Sequence, residues 1–244
     1  MSTLSQFLAS SDGRSVEQLT GTGTWTVPAG VHTVWLTGCG GGGGGASGEQ
    51  NGGYDGGGGG GSGVCVADIP YPVTPGESIA YAVGAGGIGG AGIAGDGAGA
   101  THNAGSDGGN TTFGNFLLSG GRGATNQAAV SAKAQAFPVI YNNASSGRNT
   151  SGTPITADVY LSTVQTGSAD GGSGGGYGAS TVFGSGGDGG DGADTVTATD
   201  GSGATGNGAG GGGGGGVSGT TSGNASIVTG AGGDGSDGLL IVRW

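Results

Sequence analysis

Glycines 40–45 and 56–61 form two unbroken runs between a strand-like segment ending at Cys39 and another starting at Val64. Strands that only fold back on each other need a turn of about two to five residues, so an excursion of this length needs a structural role of its own. Oligoglycine in water is a flexible coil, and one reading of such runs is low complexity. The other is the polyglycine II helix, with about three residues per turn and a rise of about 3.1 Å, no internal hydrogen bond, and every N–H and C=O pointing outward. Such a helix satisfies its backbone only beside others of its kind. Glycine is then a steric requirement, because a Cβ would hold neighbouring axes apart.

Energetics sets the condition for that second reading. Ordering a residue costs about 1–2 kcal/mol of backbone entropy, with glycine at the top of the range, and a net hydrogen bond returns about 0.5–1.5 kcal/mol. A lone run stays disordered; a lattice forms only if many runs pack and strands clamp their ends. Runs 40–45, 56–61 and 210–216 and the broken run 171–176 are indeed interleaved with apolar segments. Stretches 84–109 and 167–238, dense in Gly, Ala, Ser and Asp, are the remaining candidates for such a lattice.

Glycine accounts for 71 of 244 residues, yet no strict Gly-X-Y period runs through the chain and it has only 6 prolines, which excludes collagen. With 32% hydrophobic and only 9% charged residues, the composition also differs from that of disordered chains. The strand signals are short and alternating. Residues 24–27 and 31–39, separated by Pro28, Ala29 and Gly30, read as a hairpin. Residues 64–69 follow, then a rigid corner at Pro70, Pro72, Pro75 and Gly76, then 78–83 with Ile79, Tyr81 and Val83 on one face. Short strands at 111–113 and 116–119 precede an apolar C-terminal run, 239–244, that reads as a central strand covered on both faces. The predicted class is all-β. A short echo links Asn110-Thr-Thr-Phe-Gly114 to Ser180-Thr-Val-Phe-Gly184, each followed by Ser-Gly-Gly.

Two segments depart from the pattern. Residues 1–20 lack strand alternation, with possible helical turns at 5–8 and 15–19, and read as a frayed terminus or, in preference, an attachment segment for a partner. Residues 21–244 form the glycine-rich domain, interrupted at about 124–168 by an insertion of ordinary composition. It carries Lys133, the sole lysine, and a possible short helix at 128–136. Such an insertion reads either as variable surface loops or as a supporting cap.

The net charge of −11 and the single lysine argue against a nucleic-acid partner. No apolar run approaches a membrane span. Residues 1–9 lack the charged start and apolar centre of a secretory signal, so synthesis in a cytoplasm is expected. Cys39 and Cys65 bracket the glycine excursion and can face each other on adjacent strands, as two small reduced core residues or as a bridge.

Chemical motifs lose meaning at this glycine content. G-x-G-x-x-G matches arise by chance, and the G-x-S-x-G at 171–175 has no strand-to-helix elbow. His32, placed in a strand, and His102 have no flanking partners that name a catalytic group, and read as structural or surface residues. Residues 232–240 fit the calcium β-roll nonapeptide and 186–194 fit it loosely, but stacked tandem copies are missing. Their Asp residues read as turn formers. No metal site, cofactor site or catalytic residue is expected.

The blocks Thr24-Trp-Thr-Val-Pro-Ala-Gly30, Val34-Trp-Leu-Thr-Gly-Cys-Gly40, Tyr71-Pro-Val-Thr-Pro-Gly-Glu77 and Gly238-Leu-Leu-Ile-Val-Arg-Trp244 resemble the glycine-rich domains of bacteriophage tail-fibre and tail-tip proteins. The opening Thr3-Leu-Ser-Gln-Phe-Leu8 is similar to the start of such proteins. The resemblance implies a β-sandwich-like scaffold carrying packed polyglycine II helices, with loops between the helices meeting a host receptor, either a glycan or an outer-membrane protein. It also implies a virion location in the tail, other tail proteins as partners through residues 1–20, and a homotrimer by analogy. Tyr54, Tyr141, Tyr160 and Tyr177 are the aromatic candidates for receptor contact. A structural baseplate or fibre component without host contact is the alternative.

Overall fold

A computed structural model describes residues 15–49, 56–95, 102–125, 174–193, 197–217 and 227–244. Twelve strands are present among them: β1 (Val16–Leu19), β2 (Thr22–Thr26), β3 (Thr33–Cys39), β4 (Cys65–Pro72), β5 (Ser78–Ala82), β6 (Ala94–Gly95), β7 (Thr111–Phe113), β8 (Phe116–Leu118), β9 (Gly184–Ser185), β10 (Thr205–Gly206), β11 (Ile227–Val228) and β12 (Leu239–Arg243). The described residues are all-β in class, as the alternation predicts.

Two four-stranded antiparallel sheets, β1-β12-β3-β4 and β2-β5-β7-β8, face each other. Their inward residues make one apolar core: Leu19, Val34, Leu36, Leu240 and Val242 from the first sheet, Trp25, Ile79 and Phe113 from the second. Trp25 is its centre, with ring centroids 5.8 Å from Phe113 and 5.3 Å from Trp244. Its indole N–H donates to Glu17 at 2.8 Å, so the polar end of the ring is satisfied at the core's edge.

β12 is central, between β1 and β3. Leu240 and Val242 enter the core, while Leu239 and Ile241 belong to a second cluster with Cys39, Cys65 and Phe183. The expectation of a strand covered on both faces holds there.

Three local readings need correction. The hairpin of 24–27 with 31–39 does not form: β2 pairs with β5, and β3 pairs with β12 and β4. Pro28 and Gly30, the latter at φ 80, turn the chain from one sheet to the other, so Trp25 and Val34 meet the core from opposite sides. Residues 16–19 are strand β1, not a helical turn, because the edge of β12 offers them a full ladder from Val16↔Arg243 to Leu19↔Leu240. Pro70 and Pro72 do not break the chain either. They lie within β4, an edge strand, where a residue without N–H is tolerated. The corner comes later, at Gly76 with φ 80. His32 lies just before β3, with its carbonyl accepting from Val73 N–H at 3.0 Å.

Beyond the sandwich the chain leaves regular sheet and runs out and back as extended rods. Among the described residues the outgoing rods are 40–49, 84–93, 119–125, 186–193 and 208–217, and the returning rods are 56–63, 102–110, 174–180, 197–204 and 229–238. Hydrogen bonding between them repeats every third residue. Gly41, Gly44 and Ser47 donate to the carbonyls of Gly109, Ser106 and Asn103; Gly42, Gly45 and Gly48 donate to Ser236, Gly233 and Gly230. Gly43 and Ala46 donate to Gly61 and Gly58, each at 2.9 Å. A step of three on one rod matched by a step of three on its neighbour is the signature of threefold polyglycine helices packed side by side.

The 40–49 rod is a hub. It donates to the returning rods 102–110, 229–238 and 56–63, and accepts from the outgoing rods 208–217, 84–93 and 119–125 through Gly211→Gly43, Gly87→Gly42 and Gly121→Gly41. The 208–217 rod is a second hub, bonded to rods 40–49, 56–63, 174–180, 186–193, 197–204 and 229–238. Residues 40–48 and 208–217 are buried throughout, without one large side chain among them except Val217. A Cβ on Gly42 would overlap the carbonyl of Ala209, and one on Gly45 the carbonyl of Gly212.

The echoed segments both reverse the chain at the sandwich end: the first as hairpin β7–β8 between rods 102–110 and 119–125, the second as a turn closed by Thr181↔Gly184 between rods 174–180 and 186–193.

Candidate functional site

Rods on the outside of the bundle lack neighbours on one side, and the sequence compensates there every third residue. In rod 229–238, Gly233 and Ser236 are buried while Asp234 and Asp237 are exposed; in rod 186–193, Gly187 and Gly190 are buried while Asp188 and Asp191 are exposed. Asp234 and Asp237 accept from the N–H groups of Gly89 and Gly86 at 2.7 and 2.8 Å. Asp200 does the same for Ala231, and Asp107 for Gly123. Ser106, Ser202, Thr199 and Thr229 accept from Ile88, Asp188, Asp191 and Ile93. A carboxylate or hydroxyl thus stands in where no carbonyl reaches an outer N–H.

This corrects the reading of the Gly-Asp-Gly segments as turns. Residues 232–238 lie within a rod, with Gly232, Gly235 and Gly238 donating to Gly90, Gly87 and Gly84. Asp234 and Asp237 face neighbouring amides. No group of three or more His, Cys, Asp or Glu side chains gathers for a metal among the described residues. No helix there is long and apolar enough to cross a membrane.

The bundle has two poles. At the sandwich pole Ser15 and Trp244 pair with each other, N–H to carbonyl both ways at 2.9 and 3.0 Å. At the opposite pole every outgoing rod ends and every returning rod begins: 49 leads to 56, 95 to 102, 125 to 174, 193 to 197 and 217 to 227. With a rise of about 3.1 Å per residue, a rod of nine residues sets this pole about 28 Å beyond the sheets.

The described rim of the distal pole is cross-linked by side chains that composition did not single out. The His102 side chain is 5% exposed; its Nδ1–H donates to the Ser47 carbonyl at 2.6 Å, and Nε2 stands 3.9 Å from a Glu49 carboxylate oxygen. A carbonyl only accepts, so Nδ1 carries a proton. Asn103 adds two bonds, its N–H to Ser47 Oγ and its side-chain amide to the Ala91 carbonyl, both at 2.8 Å. These contacts tie the ends of rods 40–49, 84–93 and 102–110 together. On another part of the rim, Val217 packs with Ala198 and Ala193, Val217 N–H reaches the Glu49 carbonyl at 3.2 Å, and β6 pairs with β11. These contacts give His102 a structural place, one of the two roles, structural or surface, that the sequence leaves open.

Of the aromatic candidates, Tyr54, Tyr141 and Tyr160 lie outside the described residues, as does nearly all of the 124–168 insertion. Tyr177 is half-buried midway along the described returning rod 174–180, and its carbonyl packs against Gly59. The described residues therefore bring none of the four together. The signal that could have found the outer acceptors is the spacing of three in Asp188/Asp191 and Asp234/Asp237.

A family model described as a glycine-rich domain matches residues 17–244, which takes in both sheets and every rod. Among curated proteins no match is found.

Proposed function

The chain belongs to the glycine-rich domain family, and from that premise we propose that it is a bacteriophage tail protein acting, without enzymatic chemistry, as the receptor-binding tip of a tail fibre. The observation that carries this reading is the two-pole layout. Every connection from an outgoing rod to a returning one leaves from one end of the bundle, and Ser15 and Trp244 lie at the other. A lattice held by backbone bonds needs no large oily interior, so the connecting segments can vary without disturbing it. In this reading the distal connections, with Tyr54, Tyr141, Tyr160 and Tyr177 on or beside them, meet a host glycan or outer-membrane protein. Residues 1–20 supply the segment that docks on a neighbouring tail protein, and three copies associate in the virion.

The test is adsorption to host bacteria by purified full-length chain and by a variant in which 126–173 is replaced with a short Gly-Ser linker. The adhesin reading expects the full chain to bind, competed by soluble surface glycan or outer-membrane protein, and the variant to fold but lose binding. Equal binding by both, or none by either, contradicts it; a variant that still supports infectious particles favours a purely structural part of the tail.

A further inference from the structure

We propose that Cys39 and Cys65 are a covalent modification site, closing a cross-strand disulfide once the protein leaves a reducing compartment. This inference stands apart from the tail-tip reading. The two residues are register partners on the last rung of β3–β4 before the glycine rods begin. Both are free thiols and buried, at 0% and 3% exposure.

Strand phase sets how close they stand. Gly40 N–H donates to the Val64 carbonyl at 3.0 Å, so the rung beyond the cysteines is of the hydrogen-bonded kind. Antiparallel alternation makes the Cys39–Cys65 rung the non-hydrogen-bonded kind, in which Cα atoms are about 4.5 Å apart. That lies within the span of about 4.4–6.8 Å that a disulfide bridges. The prolines agree with this phase: Pro70 and Pro72, which have no N–H to give, sit opposite Trp35 and Thr33, on rungs of the same parity in β3. Around the pair are Leu239, Ile241 and Phe183, and Gly208 leaves room for the Cys39 sulfur where a Cβ would approach it to 2.8 Å.

The reaction is thiol–disulfide exchange. A small oxidised disulfide such as oxidised glutathione is attacked by one protein thiolate, giving a mixed disulfide and one released thiol; the second cysteine displaces the other. Two S–H bonds and one S–S bond break, and one protein S–S bond and two small-molecule S–H bonds form, so the electrons reduce the small disulfide. The hydrogen bond with Cys65, and then burial, hold Cys39 as the thiol, so exchange is slow in the folded state. The bridge would close a loop holding rods 40–49 and 56–63, fastening a hub rod and its neighbour at their origin.

The experiment equilibrates the full chain in glutathione redox buffers from both reduced and oxidised starting material. Intact mass and alkylation after unfolding are read, with Cys65→Ala as the control. In buffer dominated by oxidised glutathione the expected product is a monomer short of two hydrogens with no alkylatable thiol, unfolding at a higher temperature than the reduced form. Cys65→Ala should show no such loss of hydrogens. Two alkylatable thiols, a glutathione adduct or a cross-linked dimer at convergence, or a lowered unfolding temperature, would overturn the proposal.

Discussion

The sandwich and the rod bundle meet the same backbone obligations by opposite means. Between the sheets, Val34, Leu36, Phe113 and Val242 are fully buried and side-chain volume fills the gap, which holds stacked sheets about 10 Å apart. Between the hub rods there is almost no side chain, so the chains approach until most N–H groups meet a carbonyl on a neighbour. The sandwich thus tolerates a smaller residue at the expense of a cavity. A hub rod tolerates nothing larger than what it has. Specificity in the bundle comes from which positions exclude a Cβ and which outer positions carry an acceptor.

The sharpest way to break this comparison is Gly45→Val in the first hub. The added carbons meet the Gly212 carbonyl and the backbone at Gly213, so the rods must separate. We expect a loss of more than about 4 kcal/mol, seen as failure to recover folded protein by circular dichroism and gel filtration. Next is Phe113→Ala in the sandwich, expected to lower stability by about 3–5 kcal/mol, measured by denaturant unfolding, with the rods still assembling at low temperature. Asp234→Ala removes the acceptor for Gly89 N–H on the outer surface. It should lose about 0.5–1.5 kcal/mol and speed hydrogen exchange at Gly89 while leaving Gly45 unchanged. Smallest is Ile88→Ser: Ile88 is 70% exposed on an outer rod, and the change should stay within about 0.5 kcal/mol. If Gly45→Val proved as mild as Ile88→Ser, the distinction between hub and outer rods would fail.

Much of the fold is legible in the sequence because strands alternate and glycine runs stand out. The central place of β12 follows from its apolar run, and the rods follow from uninterrupted glycines flanked by strand ends. The hairpin of β2 with β3 was misread because a proline–glycine turn between apolar segments looks the same whether the chain returns in one sheet or crosses to another. Only the core, with Trp25 and Val34 on opposite sheets, decides it. Residues 16–19 carry weak strand signals, since the edge of β12 supplies what the segment lacks. The role of Asp234 and Asp237 was hidden by turn chemistry, which they also suit; their spacing of three gains meaning only once the rods' period is known. At the distal rim, His102 lies far in sequence from Ser47 and Glu49, and their meeting depends on the register of rods 40–49 and 102–110. No local pattern encodes that register.

Amide hydrogen exchange resolved at single glycines tests the central claim most directly. If oligoglycine helices satisfy one another's backbones, then Gly43, Gly45, Gly60, Gly211 and Gly213, each donating to a neighbouring rod, will exchange as slowly as Leu240 and Val242 in β12. Exchange at the rate of an unstructured chain at these glycines, with β12 still protected, would contradict the account.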